Sequence, residues 1–132
     1  MNVNLNGIYE KYVNNKDVLT FANSTAHKKM SPYTPYQYGD TEEDVIIDDT
    51  GIEYRADQAR FLYFGKLMLD DRGSSWAKKD ETKHVVNKDL NFSKEQHPLA
   101  TKEWDKAMMI AKGDELTEEI ESYIKKKVRA NG

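Results

Sequence analysis

The sequence predicts an α+β fold: a small antiparallel sheet with an N-terminal helix or helices and C-terminal helices packed against it. Three observations carry this. Apolar residues recur at helical spacing near both ends of the chain. Between them, alternating apolar and polar residues flank an Asp-Asp-Thr-Gly turn. The order helix, strands, helix contains no internal repeat.

Leu5, Ile8, Tyr9, Tyr12 and Val13 lie at i, i+3, i+4, i+7 and i+8, one face of a helix over residues 4–13. Asn14 and Asn15 interrupt it, and Asp17 is placed to cap a second helix running to residue 29, with Val18, Phe21, Ala22 and Thr25 or Ala26 inward. The two segments also fit one bent helix. SPYTPYQYGD cannot continue a helix, because two prolines and a glycine fall within ten residues. It reads as an extended loop whose tyrosines pack on the body.

Residues 43–48 form a strand centred on Val45-Ile46-Ile47, and 52–55 alternate as a half-buried return strand. Asp48-Asp49-Thr50-Gly51 joins them, since Asp side chains satisfy local amides and Gly accepts positive φ. A short helical turn follows to Tyr63. Gly65 stops it, and a strand runs from Lys66 to Leu69. Residues 70–83 are a polar loop with Trp76 as its one large apolar side chain. Residues 84–92 are a further strand, irregular at Asn87, and Pro98 breaks the chain. Thr101 is placed to cap a helix carrying Glu103 in its first turn and Trp104, Ala107, Met108 and Ala111 on one face. Gly113 is expected to end that helix. Another would start at Asp114 or Thr117, with Leu116, Ile120, Tyr123, Ile124 and Val128 along one stripe. Phe61, Tyr63, Phe64 and Trp104 are expected in the core.

At 132 residues the chain suits one domain, with a helical segment 1–30, a loop and sheet region 31–100 and C-terminal helices 101–130. Charged residues make up 33% and hydrophobic residues 38%, a large polar surface around a real core with 14 aromatics. There is no cysteine, so no disulfide framework and no thiolate metal site. No run approaches ~18 apolar residues, so no membrane span is expected, and the first residues lack the form of a secretion signal.

Net charge is −3, but it is unevenly spread. Residues 40–57 hold eight carboxylates (Asp40, Glu42, Glu43, Asp44, Asp48, Asp49, Glu53 and Asp57), while residues 125–129 are basic. Two readings stand. One is a solvated hairpin plus cations that favour a helix C-terminus. The other is a pair of complementary faces on neighbouring subunits.

Asp49-Thr50-Gly51 raises the possibility of an aspartic protease or another carboxylate hydrolase. Paired aspartates act by sharing one proton across a fixed loop, and that loop needs a small or hydroxyl residue after its glycine. Ile52 is bulky and β-branched, and LYFGKLM is a poor match to the bracing strand such enzymes require. His27, His84 and His97 share no ligand spacing, the seven glycines are scattered, and no stripe interleaves bases with aromatics. No catalytic, cofactor or metal residues are therefore assigned.

Three segments in order resemble a known family. They are YTPYQYGD at 33–40, IEYRADQARFLYFGKLM at 52–68 and LNFSKEQHPLATKEWDKAM at 90–108. Over roughly residues 17–112 the chain resembles the minor capsid proteins of tailed bacteriophages, which are related to the neck, or head–tail connector, proteins of long-tailed phages. The segment after Gly39 departs from the pattern, being acidic rather than basic, and no aromatic precedes Ala59.

The resemblance implies a noncatalytic virion protein, made in the host bacterial cytoplasm and placed at the head–tail junction. It implies a ring of itself, on the order of six or twelve copies, in contact with other neck, head-closure or portal and tail-terminator proteins. DNA would pass through the channel without specific binding. Pro35, Gly39, Gly65, Pro98 and Trp104 would then be structural. Trp76, Asp48, Asp49, Glu53, Arg72, Lys78 and Lys79 are the candidate interface residues, with 70–83 mobile until docking.

Overall fold

A computed structural model describes residues 1–9, 15–35, 41–56, 58–69, 84–90, 92, 94 and 97–131. The chain is α+β. A three-stranded antiparallel sheet has the order β1-β3-β2, from strands β1 (Asn2–Val3), β2 (Val45–Asp48) and β3 (Gly51–Tyr54). The helices are α1 (Asn6–Tyr9), α2 (Lys16–Met30), α3 (Ala59–Phe64) and α4 (Trp104–Asn131). Strands β4 (Lys66–Leu69) and β5 (His84–Asp89) pair separately, antiparallel, with an irregularity between Lys66 and Met68. Among the described residues the strands thus fall in a three-stranded and a two-stranded sheet.

The N-terminus departs from the expected helix over 4–13. The Met1 ammonium donates to Tyr54 O at 2.9 Å and Tyr54 N donates to Met1 O at 2.7 Å, so the first residues add a strand to β3. Asn4 Oδ1 accepts from Asn6 N at 2.8 Å, a local turn that delays the helix. Among the described residues one helical turn follows (Asn6–Tyr9), and Ile8 is exposed while Val3 and Leu5 are buried. Tyr12 and Val13 lie outside the described residues.

Asn15, not Asp17, caps α2: its Oδ1 accepts from Asp17 N at 2.9 Å and Val18 N at 3.3 Å. Asp17 instead sits in the first turn, where a carboxylate favours the dipole. After α2, a 3-10 turn (Ser31–Tyr33) leads to Thr34, whose amide and hydroxyl both return to Met30 O.

Helix α2 lies between the sheet and α4. Asn23 and His27 reach the sheet side, to Asp48 O at 2.9 Å and Glu42 O at 2.6 Å. Asp17, Phe21 and Lys29 reach α4. Asp17 pairs with Lys127, Phe21 stacks on Tyr123 at 4.0 Å, and Lys29 pairs with Glu119 at 3.0 Å. At about 100° per residue, these two sets stand roughly 150° apart around the helix. Helices α2 and α4 thus pack antiparallel to one another on the inward side of the sheet, and α4 reaches β3 itself where Trp104 meets Tyr54. Of the residues expected inward, Val18, Ala22 and Ala26 are buried and Phe21 and Thr25 half-buried, while Leu19, Asn23 and Met30 are buried beside them, because α2 meets both the sheet and α4.

Helix α4 is continuous, which overturns the expected break at Gly113. A helical glycine costs about 1 kcal/mol relative to alanine. Trp104, Met108, Leu116 and Ile120 on both sides of it enter one core and outweigh that cost. Its start is also corrected. Glu103 precedes the first turn with φ +48°, Lys106 N and Ala107 N donate to its carbonyl, and Thr101 N instead donates to Tyr33 O. Val128 at 65% and Phe64 at 48% exposure are surface residues rather than core, and Ala111 is exposed. Helix α3 is short and buries Ala59 and Leu62 on one side, which leaves Phe64 outward.

Candidate functional site

The Asp-Asp-Thr-Gly segment folds as a two-residue hairpin turn, with Asp48 opposite Gly51, Ile47 opposite Ile52 and Ile46 opposite Glu53. Asp48 Oδ1 accepts from Thr50 N at 2.8 Å and from the Thr50 hydroxyl. The Thr50 hydroxyl and then its amide hold the Asp48 carboxyl below the usual carboxylate range. The Asp49 and Thr50 positions are thus spent on turn geometry, and Ile52 is a buried ladder residue.

Two asparagines fix the turn from behind. Asn23 Nδ2 donates to Asp48 O at 2.9 Å and to Asn6 Oδ1 at 3.2 Å, and Asn6 Nδ2 donates to Asp49 O at 2.6 Å. Among the described residues, the buried Asn23 Oδ1 has no hydrogen-bond partner, so its net contribution is that of the donor side alone. Asn23→Ala is expected to cost about 1–2 kcal/mol in denaturant unfolding. Amide exchange should accelerate at residues 48–51 first. Unchanged exchange at the turn would show that the asparagine does not hold it.

The strand period then sets the faces. Val45, Ile47, Ile52 and Val3 point toward α2, while Ile46, Asp48, Glu53 and Asn2 point outward. The outward side forms a hollow of about 350 Å³, lined by β1, β2 and β3 and including Asn2, Asn4, Ile46, Asp48, Thr50 and Glu53. Its exposed lining is more polar than apolar, Ile46 at 44% exposure contributes a large aliphatic side chain, and its charged side chains are both acids. Asp48 and Glu53, two of the residues expected at an interface, therefore share one surface. Asp49 lies at the turn beside it.

The rest of the acidic segment does not join this face. Glu42 turns inward, where His27 Nε2 donates to its carbonyl and its carboxylate lies 3.5 Å from His97 Nε2. His97 Nδ1 also donates to Thr34 O at 2.6 Å, so these groups bind the loop after α2 to the segment before α4. Pro35 is buried and Pro98 lies in an exposed turn in the same region. Gly65 ends α3 in the left-handed conformation at φ +66°. Trp104 is wholly buried. Gly39, Asp40, Asp57, Arg72, Trp76, Lys78 and Lys79 lie outside the described residues.

Two tyrosines, the buried Tyr54 and the half-buried Tyr63, flank Trp104. Burial pushes the Tyr54 and Tyr63 phenols well above their usual value, and Tyr63 also donates to Asp105 Oδ1 at 2.7 Å, which further favours its neutral form. Among the described residues, no three His, Asp or Glu side chains are grouped to hold a metal ion, and no helix is long and apolar enough to cross a membrane. Sequence reasoning missed the part that Asn2, Asn4, Asn6 and Asn23 play in the site. The run of asparagines near the start was the available signal.

A family model described as minor capsid protein matches residues 1–127. No curated protein and no solved structure matches the chain.

Proposed function

Since the chain belongs to the minor capsid protein family and is thus a structural protein of a phage virion, we propose that it is a subunit of the neck. It forms a homo-oligomeric ring between the portal or head-closure proteins and the tail, with a central channel through which DNA passes. The observation that carries this reading is the placement of the acidic face and α4. The acidic face is the outward side of the sheet, and α4 lies on its inward side, where Trp104 meets Tyr54, so one molecule presents two unlike surfaces. A head-to-tail contact between unlike surfaces closes into a ring when its rotation closes. Strand β2 adds a sheet edge. Arg55 N donates to Asp44 O, so by alternation Val45 and Ile47 turn their backbone groups away from β3.

Acidic side chains suit either a contact between subunits or the lining of a DNA channel, because they repel phosphate and resist nonspecific adhesion. The ring reading is tested by native mass measurement of the purified protein together with cryo-electron microscopy of the intact particle. The expected result is a cyclic oligomer at the head–tail junction with Asp48 and Glu53 against a neighbour or the channel. A reconstruction placing them on the outer surface, far from any partner, would refute it.

A further inference from the structure

We infer that the outward hollow of the three-stranded sheet receives the last exposed turns of α4 from a second copy of this chain. This deepens the ring reading and rests on it. The hollow presents Asp48 and Glu53 beside the exposed aliphatic side chain of Ile46. The end of α4 presents the complement: Lys125 and Lys126 are exposed, and Val128 is an exposed apolar residue on the same turns. Lys127 differs, since it is already paired with Asp17 of its own chain.

Geometry separates the two surfaces. The hollow is on the outward face of the sheet, whereas α4 starts on the inward face, where Trp104 meets Tyr54, and continues as one helix to Asn131. A chain therefore cannot bring its own Lys125 and Val128 onto its own hollow, and a second molecule must supply them. The hollow, at about 350 Å³, is large enough to seat side chains rather than a single ordered water.

Charge also fixes the register. Glu118 and Glu121 are exposed on α4 just before the basic turns. Sliding the helix further onto the sheet would bring them toward Asp48 and Glu53, and like charges in contact are unfavourable. Only the end of the helix fits.

The chain has no cysteine, which makes a cross-linking test clean. Full-length Ile46→Cys and Val128→Cys proteins are mixed and oxidised. Both positions are exposed, so neither change disturbs the core. The expected result is an inter-chain disulfide between positions 46 and 128, and none between 46 and 110 when Ile110→Cys is used, although Ile110 is 89% exposed. Lys125→Glu with Lys126→Glu should lower the 46–128 yield by about tenfold at low salt. Adding Glu53→Lys to the partner should restore it.

Rings that form without a 46–128 link, or that link at 46–110, overturn this contact and leave the ring reading standing. A hollow shielded from thiol reagents by duplex DNA, and not by a second copy, also overturns it. A chain that self-associates neither in solution nor in particles overturns both.

Discussion

Replacing Trp104 by alanine is expected to destabilise the protein by about 3–5 kcal/mol. For a chain of this length that is a fall in Tm of roughly 10–20 °C. Trp104 is the point where α4, β3 and α3 meet. Its indole lies edge-on to Tyr54 at 5.5 Å and to Tyr63 at 5.1 Å, and its Nε1–H donates to the Tyr54 hydroxyl at 3.2 Å. Removing the ring opens a cavity lined by two tyrosines whose own positions depend on it. Trp104→Phe separates the contributions, since it keeps most of the apolar area but leaves the buried Tyr54 hydroxyl without its indole donor. That loss should be about 1–2 kcal/mol. Chemical denaturation measures both. A loss below about 1 kcal/mol for the alanine variant would mean that the aromatic cluster is not what fastens α4 to the rest.

The expected parts of the fold that appear are those whose signals are local. The hairpin needs only alternation over four residues on each side of Asp49-Thr50, and both strands form there. The α3–Gly65–β4 segment is similar: a dense apolar run, a glycine that takes positive φ, then a strand. Features decided by distant contacts were not legible. A two-residue strand has no period to read, and β1 exists because Met1 and Tyr54 exchange hydrogen bonds across 53 residues of chain. Gly113 looked like a helix end by propensity, yet packing on both sides keeps α4 whole. The site follows the same division. Composition marked residues 40–57 as acidic, and alternation would put Asp48 and Glu53 on one face. The hollow itself needs Asn2 and Asn4, which only the tertiary fold brings there.

Gly51 joins these two kinds of information, and Gly51→Ala is expected to cost roughly 3–4 kcal/mol. Turn chemistry explains part of the loss. Gly51 has φ +149°, a conformation in which a side chain is strained by about 1–3 kcal/mol. The remainder is tertiary. A Cβ at this position would lie 2.6 Å from Val3 O, a backbone atom that cannot turn aside. Either β3 or β1 must move, and β1 is only two residues long, so it should detach and expose Val3 and Leu5. Gly7→Ala is the matched control, because an added Cβ there meets nothing within 4 Å. It should be neutral or slightly stabilising, as expected for alanine in a helix. Removing residues 1–4 from both the unsubstituted protein and the Gly51→Ala variant should shrink the difference between them to the conformational strain alone. If the difference survives the truncation in full, the clash with Val3 contributes nothing and β1 is not wedged against the turn. Because β1 forms one wall of the hollow, the same Gly51→Ala change should also abolish the 46–128 cross-link while leaving Lys125 and Val128 untouched. Assembly would then fail through the receiving surface alone.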